Sequence, residues 1–342
     1  MQAPRTVWFN KNISSTYQVI EILRREQRTG ELQLVCTHTH PHSPVLGLAD
    51  IGDLEPKGLS DHDYIQYCLE FIRRHDVQVF VPGKRVSVIS AQTARFEQAG
   101  VRLLVAADAS TLDVVNDKAR TYRALEGLSV PLPEYRVVNS LDTFDAAYTD
   151  LLGRGFRVCF KPVASMFGLG FRIITEHGGN LKRMLSGDPL SIDLQDARRC
   201  FAESPRFRDV LVMQYLPGAE RSVDCLAHAG ELVCSVVRRK PDVSEGAQLL
   251  ECNSPVEQMV RQLTQHLKLN GMFNVQFKDD GETPYLLEIN PRMSGGLPMA
   301  CLSGVAFPLW AIRLTLGTAT PQDVPHPSCG MRVKEVGRAV MI

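Results

Sequence analysis

The sequence predicts an α/β N-terminal domain with a parallel sheet, followed by a larger α+β region. Two observations carry this. Over the first third, short apolar runs alternate with amphipathic stretches at helical spacing, the pattern of a parallel, helix-covered sheet. From Asp113 the pattern changes to strands that return through glycine-bearing turns.

In order, residues 6–9, 32–36, 77–82 and 101–105 read as strands, and residues 15–25 and 63–75 as helices. Residues 106–112 mark the boundary. Residues 116–125 then read as a helix, and residues 156–162 as a strand that runs into the loop Ser165-Met166-Phe167-Gly168-Leu169-Gly170. Residues 171–174 form the strand leaving that loop, which makes a hairpin with a glycine-bearing tip. Strands follow at 209–215, 222–228 and 232–238, and Val256, Met259, Val260, Leu263 and Leu267 mark a helix. The last strands precede a helix that begins near Phe307.

Composition narrows the class. A chain of 342 residues can bury a large core, and 38 basic against 38 acidic residues give a formal net charge of +0. That balance offers no electrostatic footprint for nucleic acid or an anionic membrane. The nine cysteines are scattered without a CxxC pair. Cys36, Cys159, Cys225 and Cys234 sit in apolar strings, so reduced, buried thiols are expected. The start Met-Gln-Ala-Pro-Arg lacks the apolar core of a signal peptide, and no run is long enough to cross a bilayer. A soluble, cytoplasmic protein is the expectation.

Chemistry concentrates in Tyr285-Leu286-Leu287-Glu288-Ile289-Asn290-Pro291-Arg292, preceded by Asn274-Val275-Gln276-Phe277. Glu288 and Asn290 alternate with apolar neighbours and project together, a carboxylate and an amide oxygen suited to a hard cation. Gln276 can add a third oxygen, and Arg292, fixed by Pro291, can hold phosphate bidentately. Lys161 interrupts the apolar strand Val158-Cys159-Phe160-Lys161-Pro162, which is costly without an anionic partner. Lys118 stands near a helix start. The loop after Lys161 lacks a Gly-Lys-Ser or Gly-Lys-Thr element, so it is not a P-loop. Gln214-Tyr215-Leu216-Pro217-Gly218-Ala219-Glu220 ends a strand with a turn and one carboxylate. Two features are discounted: His38-Thr39-His40-Pro41-His42 reads as a surface loop, and Pro82-Gly83-Lys84-Arg85 follows a strand of the N-terminal domain where it can face substrate, but a lone Gly-Lys is weak evidence for phosphate.

This order of elements resembles the ATP-grasp superfamily over about Asp113 to Trp310, in its carbamoyl-phosphate synthetase and biotin carboxylase branch. The resemblance implies an N-terminal α/β domain at 1–112 and an ATP-grasp fold of two subdomains at 113–342, with the glycine-loop subdomain at about 125–212. It implies that Lys118, Lys161, Ser165 and Gly168 meet the nucleotide, chiefly its phosphates. Gln214, Tyr215 and Leu216 would line adenine, and Glu220 would bind ribose. Gln276, Glu288 and Asn290 would hold Mg²⁺, or Mn²⁺ in its stead, and many members carry an acid where Gln276 stands. Arg292, Lys161 and Arg238 would be catalytic, Arg292 on the transferred phosphate, with Lys240 secondary and Ser294-Gly295-Gly296 allowing close backbone approach.

The activity implied is an ATP-dependent carboxylate–amine, or carboxylate–nucleophile, ligase that works through an acyl phosphate and releases ADP and phosphate. The alternatives are an ATP-grasp small-molecule kinase and an inactive nucleotide-binding regulatory protein. The expected partners are small-molecule carboxylates and amines, with neither nucleic acid nor membrane; homodimerisation stays open. The chain has no biotin-carrier or glutaminase segment of its own, so neither chemistry is expected from it alone.

Overall fold

The computed structural model describes residues 3–11, 15–165, 168–176, 185, 188–241, 246–252 and 254–337. They divide into two compact units. The first contains Met1–Val115, Ala219–Phe277 and Ile289–Ile342; the second contains Asn116–Gly218 and Lys278–Glu288.

The first unit begins with β1 (Arg5–Phe9), α1 (Thr16–Glu26), β2 (Leu32–His38), α2 (Pro44–Leu48), β3 (Ile51–Leu54), α3 (Asp61–His75), β4 (Val77–Val81), α4 (Val86–Ser90), α5 (Thr93–Gln98) and β5 (Arg102–Leu103). The five strands form a parallel sheet in the order β3-β2-β1-β4-β5. Central β1 is buried on both faces, which is why Val7-Trp8-Phe9 is an unbroken apolar run. Val7 and Phe9 face one core, with Val19, Leu23 and Leu34, whereas Trp8 stacks on Phe80 in the other, with a centroid distance of 4.0 Å. Helix α3 starts where the Ser60 hydroxyl accepts the Asp63 amide, with Asp61 and Asp63 in the first turn.

Two sequence expectations change here. The sheet gains β3, an edge strand too exposed to leave an apolar signature. The strand expected at 101–105 shrinks to two residues, and the stretch after it leads into α6 (Ala109–Val115).

A six-stranded sheet follows in the order β15-β14-β11-β12-β13-β16. It comprises β11 (Glu220–His228), β12 (Glu231–Arg239), β13 (Gln248–Glu251), β14 (Gly271–Asp280), β15 (Thr283–Asn290) and β16 (Arg332–Val333). The β11–β12 hairpin closes through Ala229 and Gly230, both at positive φ (51° and 82°), the two-residue turn whose twist matches the strands. The helix Phe307–Leu316 shares the core that holds Val7 and Leu34, and its Arg313 grips Glu31 bidentately at 2.6 and 2.7 Å. One cysteine expectation also needs correcting. The four cysteines of the apolar strings are free and buried, but Cys252 and Cys329 form a disulfide across a separation of 77 residues.

The second unit holds α7 (Lys118–Ala124), β6 (Tyr135–Val138), α8 (Leu141–Gly153), β7 (Val158–Pro162), β8 (Arg172–Thr175), β9 (Ser191–Asp193) and β10 (Val210–Gln214), with strand order β6-β10-β7-β8-β9. β7 and β8 are antiparallel, as the hairpin reading expects. Alternation along β7 sets the faces. Val158 and Phe160 pack with Phe144 and Leu151 of α8, while Cys159 joins Ala119 and Tyr122 of α7 on the other side. Lys161 shares the parity of Cys159 and therefore the face of α7.

Candidate functional site

In the second unit, Lys118 and Lys161 converge on the end of β15. Asp117 caps α7 by accepting the Arg120 amide at 2.9 Å, and the Lys118 amide donates to the Val163 carbonyl at 3.1 Å. These contacts fix the first residue of the helix. The Lys118 side chain, 7% exposed, pairs with Glu288 at 3.2 Å and donates to the Ser165 carbonyl at 3.1 Å. Lys161 is buried and donates to the Leu287 carbonyl at 3.4 Å. Burial, then the neighbouring Lys118 ammonium, push its pKa down to about 8, against the opposing pull of Glu288. Buried Tyr122 supports the same strand end by donating to the carbonyls of Leu287 at 2.9 Å and Leu286 at 3.2 Å. Two buried ammonium groups thus lie near one carboxylate, Lys118 in a direct ion pair and Lys161 within its electrostatic reach.

The loop that follows Lys161 is shaped by glycine. Gly168 and Gly170 adopt φ of 67° and 81°, and a Cβ on Gly170 would lie 2.8 Å from the Pro162 ring. Met166 and Phe167 of the predicted loop lie outside the described residues. At the end of β10, the Gln214 side chain donates to Asp280 at 2.8 Å, and the Gln214 and Tyr215 amides bond Glu134 and Arg157 carbonyls at 2.9 and 2.7 Å. Leu216 is buried, and the Arg157 guanidinium covers the Tyr215 ring at 4.7 Å. The turn at Gly218 is tight: its amide bonds the Asp279 carbonyl at 2.9 Å, and a Cβ would meet that oxygen at 2.7 Å.

The first unit carries the remaining candidates. Glu220, the opening residue of β11 rather than part of the preceding turn, forms an ion pair with Lys240. Gln276 on β14 and Asn290 at the end of β15 are both partly exposed. The Arg292 backbone amide returns to the Asn290 carbonyl at 2.7 Å, and its guanidinium reaches the Asn290 amide oxygen at 3.4 Å. Arg292 is thereby tied to Asn290 in the same short segment.

Arg238, which the resemblance implies is catalytic, lies in a buried polar cluster in the structure. It is buried at 3% exposure of the side chain, opposite Asp224 at 1%. Its Nε donates to Asp224 at 2.7 Å, Nη1 to Gln248 at 2.6 Å, and Nη2 to Ser222 and Ser294 at 2.9 and 3.0 Å. Asn274 completes the cluster by donating to Ser222 and Asp224, each at 3.0 Å. A Cβ on Gly296 would fall 2.4 Å from the Arg238 guanidinium, so Gly296 is the residue that lets the turn close over it. Arg238 therefore braces the Ser294-Gly295-Gly296 turn that follows Arg292. The sequence holds a signal for this cluster: Asp224 interrupts an apolar strand just as Lys161 does.

Comparisons with known proteins bear on the fold and the family. Residues 206–339 match the family model described as ATP-grasp in the biosynthetic pathway with Ter operon. The carbamoyl phosphate synthase large chain of Thermus thermophilus is 28% identical over 235 residues, 65% of this chain and 21% of that protein. The same enzyme chain from Pyrococcus furiosus is 25% identical over 245 residues, 68% of this chain and 21% of that one. The chain thus spans about a fifth of the length of these curated relatives. Among solved structures, biotin carboxylase from Campylobacter jejuni, a β,γ-ATP complex, superposes with a TM-score of 0.66 at 12% identity, covering 94% of this chain and 73% of that one. The biotin carboxylase domain of Hydrogenobacter thermophilus 2-oxoglutarate carboxylase, solved with MgADP and bicarbonate, gives 0.64 at 15% identity, covering 95% and 73%. Residues 206–339 thus carry an ATP-grasp match, and the chain as a whole is similar in sequence to carbamoyl phosphate synthase large chains and in fold to biotin carboxylases.

Proposed function

We propose that the chain is an ATP-dependent ligase that joins a small carboxylate to an amine or similar nucleophile through an acyl phosphate. The observation that carries the reading is the charge imbalance at the end of β15, where buried Lys118 and Lys161 face the single carboxylate of Glu288. A nucleotide polyphosphate supplies the missing negative charge. Lys118, Lys161 and the amides around Gly168 bind phosphates, Tyr215 and Leu216 line adenine, and Glu220 takes the ribose, with Lys240 as its ion-pair partner.

Gln276, Glu288 and Asn290 fit Mg²⁺ as a set of hard oxygen donors. With one charge among three ligands they suit a metal that arrives with phosphates already attached. Bound there, Mg²⁺ would neutralise charge on the transferred phosphoryl group. Arg292 binds the phosphate or acyl phosphate, and Arg238 positions the turn behind it. No step needs a covalent enzyme intermediate; positioning and charge neutralisation suffice.

Lys161→Met should separate phosphate binding from folding. A buried ammonium is a cost to the fold, so replacing it with an apolar chain of similar length should leave stability equal or higher. ATP affinity should fall about 10- to 100-fold, the worth of one charge-assisted hydrogen bond, with adenosine binding unchanged. Calorimetric titration of both ligands checks this, and unaltered ATP affinity would remove Lys161 from the site.

An ADP-release screen over pairs of small carboxylates and amines tests the activity. Release of ADP with free phosphate and a joined product supports the ligase. ADP with the phosphate retained on one substrate indicates a kinase instead, and ATP binding without turnover on any pair favours a regulatory protein.

A further inference from the structure

The N-terminal sheet carries a second charged cluster that the nucleotide reading leaves unused. With strand order β3-β2-β1-β4-β5, the chain leaves β1 toward β2 and β3, then crosses through α3 to β4 on the other side. The connections part between β1 and β4. In open parallel sheets, the crevice beyond the carboxyl ends of two such strands is where ligands bind.

Those two strand ends are laced together by buried polar groups. Asn10, which follows β1 and is 1% exposed, accepts the Gly83 amide at 2.6 Å and donates to the Tyr64 hydroxyl at 2.8 Å. Glu55, which follows β3 and has no exposed side-chain surface, accepts the Lys84 ammonium at 3.0 Å and the Lys11 amide at 3.1 Å. The Tyr64 hydroxyl also donates to Glu55. The Lys84 ammonium lies 4.7 Å from the centroid of the Tyr64 ring and keeps 27% of its side chain exposed.

Arg85 is held in the left-handed region at φ 54°, ψ 36°, a conformation that non-glycine residues enter at a cost and that recurs at ligand sites. Its guanidinium is latched to the Ser60 and Leu59 carbonyls at 2.8 and 2.5 Å and to Asp61 at 3.0 Å. A sheet end needs no buried carboxylate in order to fold. Here one is desolvated, and three donors converge on it. One of them is a partly exposed lysine held at the point where the connections part.

We propose that this strand-end cluster is an anion subsite that anchors a second acidic group, a carboxylate or a phosphate, on the small-molecule substrate. Lys84 makes the direct contact, and Glu55, Tyr64 and Asn10 position it. The assignment of this anion to a ligase substrate rests on the ligase reading; the subsite itself does not. The substrate class is then a small acid bearing one anionic group besides the carboxylate that is activated.

The test is an NMR titration of the isotope-labelled full chain with succinate, with inorganic phosphate, and with chloride at equal ionic strength. It reads the amides of Asn10, Gly83, Lys84 and Arg85. Because Lys84→Met alone would strand the Glu55 charge, the Glu55→Gln/Lys84→Met double variant, which removes both charges, is titrated beside it. The expected result is saturable shifts at these amides with succinate or phosphate but not chloride, weakened about tenfold or more in the double variant while ATP affinity stays the same. The anion that saturates identifies the acidic group. Absent saturable shifts with both anions, shifts reproduced by chloride, or equal affinity in the double variant would each overturn the subsite. ATP titration of the wild type on the same samples judges the nucleotide reading separately.

Discussion

Glu288→Gln should abolish most turnover while leaving a folded protein. Glu288 is the one carboxylate among the proposed metal ligands, and it is also the partner of Lys118 at 3.2 Å. The substitution keeps shape and hydrogen-bonding capacity but removes the charge. Mg²⁺ then loses its anionic ligand, and two buried ammonium groups lose their shared counter-ion. We expect ADP production to fall by roughly two orders of magnitude or more, the several kcal/mol that metal charge stabilisation supplies in phosphoryl transfer. Stability should drop by only about 1–2 kcal/mol, because Glu288 is 23% exposed and Lys118 keeps the Ser165 carbonyl. Raising Mg²⁺ should recover part of the rate. Near-normal turnover at ordinary Mg²⁺ in the purified variant would remove Glu288 from the metal site.

Arg238→Met should act in the opposite sense, on folding first. The substitution leaves Asp224 buried with the Asn274 amide as a remaining donor and without its ion-pair partner. Breaking a buried pair in this way costs about 3–5 kcal/mol, visible as a lower denaturation midpoint at unchanged slope. Adding Asp224→Leu, which removes the stranded charge, should restore much of that loss. Had Arg238 been a phosphate ligand, the single variant would keep its midpoint and lose turnover alone. The two outcomes therefore distinguish a brace from a ligand.

The sequence was legible where burial is two-sided or chemistry interrupts an apolar run. β1, β2, β7, β10 and β15 carry continuous apolar strings, and Lys161 and Glu288 stand out within theirs. The edge strands β3, β9 and β16 did not, because few of their side chains enter a core. Helix α8 escaped notice although Ser140 and Thr143 form a reciprocal cap at its start. Its Thr at the third position differs from the usual acidic partner.

Arg238 illustrates a deeper limit. Its exposure and partners depend on residues 10 to 56 positions away, brought together in part by the β11–β12 register that sets Ser222 opposite Arg238. A basic run at a strand end reads identically in sequence whether it faces phosphate or a buried aspartate. The Cys252–Cys329 pair is hidden in the same manner, since only the pairing of β13 with β16 explains their approach. Among the described residues no helix is long and apolar enough to cross a membrane.

The acyl phosphate is tested most directly by isotope transfer. The carboxylate selected by the ADP-release screen is labelled with ¹⁸O in both oxygens and turned over with unlabelled Mg·ATP and the amine. Attack of the carboxylate on the γ-phosphorus forms the acyl phosphate, and displacement by the amine then breaks the C–O bond, so one carboxylate oxygen leaves with phosphate. The account predicts one ¹⁸O atom in each inorganic phosphate released, together with one ADP and one joined product. Phosphate free of label, or label retained entirely in a phosphorylated product, would contradict it.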